Sequence, residues 1–149
     1  MNVSKKCQYA LRAILELAKQ RGSGLTRTPE IARAQAIPLK FLELILGELK
    51  QGGFVESRRG PKGGYLLARE PEDLSPGQII RYIDGPIAPV QCVVDLNSVN
   101  CPLQERCVLL DMWTQAAQAV SDVYDGVTFQ DLLEKQKNLT QEFVANFNI

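Results

Sequence analysis

The sequence predicts a mainly α-helical chain with one small β-hairpin, and three observations predict it. Apolar residues recur at three- and four-residue spacing over residues 4–20, 39–49 and 104–124, as in helices with one buried face. One stretch, Phe54 to Leu67, places two short apolar runs on either side of a glycine-rich tip. These features stand in a set order: a pair of short helices, then the hairpin, then a long helix.

The first helix is expected from about Ser4 to Gln20, with Tyr9, Ala10, Ala13, Ile14, Leu17 and Ala18 on its packing face. Thr28-Pro29-Glu30 has the form of an N-cap, a first-turn proline and a first-turn acid, and opens a second helix through about Arg33. Gln35-Ala36-Ile37 makes a tight connection, and Pro38 starts a third helix. Leu39, Leu42, Leu46 and Leu49 form its buried stripe, while Lys40, Glu43 and Lys50 occupy other faces. Gly52-Gly53 stops it. The hairpin follows with Phe54-Val55 and Tyr65-Leu66-Leu67 as its strands. Gly60, Gly63 and Gly64 allow positive φ and close backbone approach, and Pro61 stiffens the bend. Arg58, Arg59 and Lys62 project from a tip that no acidic side chain neutralises. Two short helices with a tight turn, followed by a cationic hairpin, is the order of a winged helix-turn-helix head.

Charge divides the chain. Its 17 Lys and Arg balance 17 Asp and Glu, yet residues 1–69 hold 13 basic against 5 acidic groups, a net +8. Residues 70–149 hold 4 against 12, a net −8. A polyanion-facing head and a body turned away from the polyanion would carry charge in this way. With 45% hydrophobic residues the chain can build a core, and no apolar run is long enough to span a bilayer. Met1 to Lys6 lacks a secretory signal, so a cytoplasmic protein without membrane attachment is expected.

Past the hairpin, Glu70-Pro71-Glu72-Asp73-Leu74 opens the acidic half. Ser75-Pro76-Gly77-Gln78 has the form of a capping box, with Ile79, Ile80 and Ile83 inward on a short helix that ends at Gly85-Pro86. Residues from Ile87 to about Pro102 are expected as loop. A long helix is expected from about Gln104 to Tyr124, with Leu109, Met112, Trp113, Ala116, Val120, Val123 and Tyr124 in a stripe wide enough to meet a partner subunit. Thr128-Phe129-Gln130-Asp131 starts another helix carrying Leu132 and Leu133, and the tail with Leu139, Phe143, Val144 and Phe147 is a helix or a packed extension. The division is therefore 1–72, the DNA-binding head; 73–103, the connector helix and cysteine-bearing loop; and 104–149, the dimerisation helix and C-terminal extension.

Four cysteines remain. Cys7 lies in the first helix, where a small buried residue is expected. Cys92, Cys101 and Cys107 fall within one loop and the start of the next helix. Loop thiols this close suit metal ligation or redox chemistry better than structural disulfides, with incidental thiols as the alternative. Thiolates favour iron–sulfur clusters, zinc or Cu(I), although the tight C-x-x-C pair of common zinc knuckles is missing. The chain has no His, no phosphate-binding loop and no nucleophile elbow, so an enzyme is not expected.

These residues resemble a known family, the IscR/NsrR/CymR-type winged-helix regulators of bacteria (the Rrf-two family), over nearly the whole chain. The resemblance lies in Tyr9-Ala10-Leu11, Ile31-Ala32, Phe41-Leu42-Glu43, Leu49-Lys50-Gln51-Gly52-Gly53-Phe54-Val55 and the wing Arg59-Gly60-Pro61-Lys62-Gly63-Gly64-Tyr65-Leu66-Leu67. It implies a homodimeric transcription regulator, in the main a repressor, joined by the long helix that carries Met112 and Trp113. It also implies that Glu43 and Arg59 contact double-stranded DNA at a pseudo-palindromic operator. A glutamate can accept from cytosine N4 in the major groove, and an arginine on a thin hairpin can enter a narrow minor groove. Lys40, Arg58 and Lys62 suit phosphate contacts, with Gly60 shaping the tip. Cluster-bearing members hold a [2Fe–2S] or [4Fe–4S] centre on three loop cysteines, which Cys92, Cys101 and Cys107 match in order. The first gap is longer than usual in that group. Leu110 stands where some members have a histidine and Gln8 where others use an acid, with Cys7, Asp111 or a small molecule as replacements. Gly85-Pro86-Ile87-Ala88-Pro89-Val90 is closer to the cysteine-metabolism branch, which lacks the cluster. Two functions follow: a regulator sensing redox, iron or Fe–S status, or a cluster-free regulator of sulfur metabolism switched by a partner enzyme or by thiol oxidation.

Overall fold

A computed structural model describes residues 1–147 of the chain. Seven helices and one antiparallel hairpin follow in the order α1 (Lys5–Lys19), α2 (Thr28–Gln35), α3 (Leu39–Gln51), β1 (Val55–Arg58), β2 (Gly64–Leu67), α4 (Pro76–Asp84), α5 (Gln91–Val94), α6 (Leu110–Asp125) and α7 (Phe129–Phe147). Asn148 and Ile149, the end of the expected C-terminal part, lie outside the described residues. No helix among the described residues is long and apolar enough to cross a membrane.

Local chemistry explains the helix starts. Ser4 caps α1, its Oγ accepting from the Cys7 N–H at 3.0 Å. At α2 the cap is Arg27, one residue before the expected Thr28, because the Glu30 carboxylate accepts from the Arg27 backbone N–H at 3.1 Å. Ala36, in the left-handed region at φ +50°, ends α2 and permits the tight connection. Thr128 and Asp131 cap α7 reciprocally, at 2.9 and 3.1 Å.

The core collects Ala10, Ala13, Ile14 and Leu17 of α1, Ile31 of α2, and Leu42, Ile45, Leu46 and Leu49 of α3. Phe54, Val55, Leu67, Leu74 and Ile79 close it, and Phe129 at the start of α7 plugs it at 1% exposure. Burying that one ring contributes about 1.5–3 kcal/mol. A second cluster, Cys7, Ile80 and Ile87 with Val120 and Tyr124 beside them, joins α1, α4 and α6.

Several expectations need correction. Leu39 is 42% exposed at the first residue of α3, and Ile45 takes the inward position instead. Ser75 makes no side-chain cap; the backbone carbonyl of Ser75 accepts from Gln78. The segment after Ile87 is not all loop, since α5 and a 3-10 turn at Leu96–Ser98 form within it. The long helix begins at Leu110, six residues later than expected, because residues 104–106 form a separate 3-10 turn and Cys107 is extended. Its 16 residues span about 24 Å. The tail is a helix, and its Leu139, Phe143, Val144 and Phe147 are exposed rather than packed.

Candidate nucleic-acid interface and thiol pocket

The hairpin pairs Val55 with Leu67, Glu56 with Leu66, Ser57 with Tyr65 and Arg58 with Gly64. A third segment, unforeseen from sequence, supports it: Thr26 and Tyr65 exchange backbone hydrogen bonds at 2.9 and 2.8 Å. Gly64 is required there, because a Cβ would stand 2.5 Å from the Thr26 carbonyl oxygen. At the tip Gly60 takes φ +109°, a conformation that favours glycine. The Arg27 guanidinium donates to the Pro61 carbonyl and draws the tip toward the start of α2.

Arg58, Arg59, Gly60 and Lys62 are all exposed on this hairpin, and Lys40 and Glu43 are exposed on α3. None of the four wing and helix cations, nor Glu43, takes part in an ion pair among the described residues; the three pairs present are Lys6–Glu48, Arg21–Glu70 and Arg81–Asp125. Arg58, Arg59 and Gly60 line a groove of about 610 Å³ between the wing and the start of α2. Lys62, Lys40 and Glu43 lie outside it. Two of its lining cations, Arg27 and Lys50, were not singled out as site residues from sequence. The available signal was slight: an arginine just before Thr28-Pro29, and a lysine in the last turn before Gly52-Gly53.

The thiols divide by environment. Cys92, Cys101 and Cys107 are half-buried and unpaired by disulfides, and all three line one apolar depression of about 70 Å³ with Leu96, Val99, Gln104 and Leu110. The late start of α6 leaves Cys107 in extended backbone outside the helix. No three His, Cys, Asp or Glu side chains among the described residues form a metal-ligand group. The two facts are compatible, because facing one depression demands less convergence than binding one metal centre. A soft thiol set at an apolar site suits an iron–sulfur cluster or zinc. For the fourth position, Leu110 offers no donor and the Asp111 carboxylate accepts from Gln115 at 2.6 Å. Cys7 does not join the set: it is fully buried in the second cluster. Burial, with the Asp84 carboxylate beside it, pushes its thiol up to about 12. It is therefore a packing residue and a poor nucleophile, as expected of a small buried cysteine, and it does not stand in as the fourth ligand.

The family model described as "Rrf2: Iron-dependent Transcriptional regulator" matches residues 3–135. The chain belongs to the Rrf2 family. This Rrf2 chain is 36% identical over 132 residues to the HTH-type transcriptional regulator CymR of Bacillus subtilis (strain 168), covering 89% of each protein. The structure of CymR (YrzC), named there as the global cysteine regulator of B. subtilis, is similar at TM-score 0.73 and 34% identity, over 91% of this chain and 98% of that one. IscR of T. potens is similar at TM-score 0.74 and 31% identity, over 91% and 88%. The winged-helix Rrf2 fold and the role of transcriptional regulator follow.

Proposed function

We propose that the chain is a homodimeric, sequence-specific DNA-binding repressor whose head, residues 1–72, reads a pseudo-palindromic operator. The observation that carries this is the pairing of an exposed, unneutralised cationic wing with an exposed face of α3 bearing Lys40 and Glu43. Glu43 accepts from a cytosine in the major groove, Arg59 enters the minor groove with Gly60 at its side, and Lys40, Arg58 and Lys62 bind phosphates. Residues 104–149 dimerise. Along α6 only Ala117 is buried, while Met112, Ala116 and Val123, with Leu109 just before the helix, are exposed, an apolar stripe that a second copy would cover. Two heads then sit about one helical turn apart, ~34 Å.

Residues 73–103 form the sensing joint. Cys92, Cys101 and Cys107 would hold an iron–sulfur cluster; their shared apolar depression supports this. When bound, such a group supplies a signal that depends on redox or iron supply. The chain's own contribution is to tie the loop to α6 through Cys107 and Leu110, so that loop and helix move together. A tenfold change in DNA affinity needs only about 1.4 kcal/mol of bias between head arrangements. Anaerobic reconstitution followed by UV–visible spectra and iron and sulfide counts tests the cluster; a colourless, iron-free protein sinks it. Selection of duplexes from a random pool tests the head, and failure to bind any duplex at low salt overturns the DNA-binding function.

A cluster-free regulator of sulfur metabolism, switched by a partner enzyme or loop-thiol oxidation, is the second reading. The similarity to a protein named as a cysteine regulator favours it. It predicts that the Cys92→Ser, Cys101→Ser, Cys107→Ser triple variant keeps operator affinity and, if the partner enzyme is the switch, its regulation.

A further inference from the structure

We propose that Arg27 and Lys50 complete a phosphate-binding cleft at the base of the wing, through which the backbone of one DNA strand passes. This rests on the DNA-binding function proposed for the wing. The cleft of about 610 Å³ is lined by four cations, Arg27, Lys50, Arg58 and Arg59, and by the hydroxyl-bearing Thr28, Ser57 and Tyr65. No Asp or Glu lines it. The acid closest in sequence to Arg27 on α2, Glu30, is committed to the Arg27 backbone N–H at 3.1 Å. None of the four cations has an ion-pair partner among the described residues. Like charges gathered round one opening repel each other, and a polyanion relieves that repulsion.

Helix geometry selects a duplex backbone over a free anion. Lys50 follows Glu43 by seven residues, so the two side chains lie about 20° apart on one helix face and about 10 Å along it. A major groove is about 12 Å wide. With Glu43 at the base edges, Lys50 falls at the groove wall, where phosphates run, and the cleft continues that wall toward the wing. Arg27 has two tasks there. Its charge faces the cleft, and its guanidinium holds the Pro61 carbonyl, so it also fixes how far the wing stands from α2.

Contacts of this kind carry affinity without sequence preference. Arg27→Gln and Lys50→Gln are expected to weaken binding about tenfold on a selected duplex and on a random-sequence duplex of about 30 base pairs alike. The slope of log affinity against log salt should become shallower by about 1 per head for each variant. Arg27→Lys should restore the slope, because it keeps the charge. Lys50→Gln touches no hydrogen bond of the fold, so it isolates charge from wing position. Wild-type slopes for both Gln variants, with the wild type binding normally, overturn the cleft alone. A loss confined to the selected duplex also overturns it. No duplex binding by the wild type overturns the function beneath it and the cleft with it.

Discussion

The Tyr82 hydroxyl donates to the Glu48 carbonyl at 2.8 Å and so joins α4, which leads to the cysteine loop, to the last turns of α3. The Tyr82 ring also meets Phe54 edge-on with centroids 5.2 Å apart. Asp84, two residues on, accepts from the Ser4 backbone N–H at 2.8 Å at the start of α1, and Arg81 pairs with Asp125 of α6 at 2.7 Å. α4 thus touches the proposed DNA-facing helix, the first helix and the proposed dimer helix at once.

Tyr82→Phe removes the hydroxyl and keeps the ring. Because Tyr82 is 38% exposed, water replaces much of the lost bond, and a cost near the lower end of about 0.5–1.5 kcal/mol is expected in urea unfolding. Gly52→Ala should cost more, since its Cβ would lie 2.6 Å from the Tyr82 ring. A larger loss for Tyr82→Phe than for Gly52→Ala contradicts this account of the joint.

Gly64→Ala would drive a methyl against the Thr26 carbonyl and break the bridge between Thr26 and Tyr65. Destabilisation of roughly 1–3 kcal/mol is expected, together with weaker duplex binding as the wing loses its support. Thermal melting and fluorescence anisotropy on one sample measure both.

The thiols should separate by reactivity. Native alkylation near pH 8 is expected to label Cys92, Cys101 and Cys107 and to spare Cys7 until the protein is denatured, as mass spectrometry of the peptides would show. The sign of the pH effect follows from the raised value. The unfolded thiol ionises near 9.0 and the folded one near 12, so stability falls as pH rises from the first value to the second. Cys7→Ala should flatten that decline.

The Arg81 hydrogen bond holds the Asp125 carboxyl below the ordinary aspartate value of 3.8. A lowered carboxylate stabilises the fold above that value, and the contribution is lost as pH falls through the folded pKa. Both side chains are more than a third exposed, so the pair is worth at most about 1 kcal/mol. The stability difference between wild type and Asp125→Asn should be constant at neutral pH and vanish in strong acid.

Met112→Glu or Val123→Glu places a charge on the exposed stripe of α6, where Met112 is 48% and Val123 65% exposed. Helix content should change little, while sedimentation velocity shifts from dimer to monomer and melting loses its dependence on protein concentration. A dimer that survives both changes excludes this face as the interface.

What could be read from the chain alone was local. The helix pair, the wing and the start of α7 are written within one or two turns of backbone: Ser4, Pro29, the Leu42–Leu49 spacing, Gly52-Gly53, and Thr128 with Asp131. Each acts on its immediate neighbours whatever the rest of the protein does. The same locality explains the misses. Leu39 has the right period but sits at the open end of its helix, and Ser75 has the right type but lies where the backbone carbonyl already takes Gln78.

The tertiary structure alone decided which distant groups share a place. Arg27, Lys50 and Arg58 come from three separate elements and meet only because Thr26 bridges Tyr65 and the core sets α3 beside the wing. Cys7 parted from the other thiols because the α1, α4 and α6 contacts closed over it, while Cys107, outside α6, shares one depression with Cys92 and Cys101. Backbone preference acts over a few residues and leaves its mark in sequence. Burial acts between surfaces far apart in the chain, and no short stretch of residues records which surface it will meet.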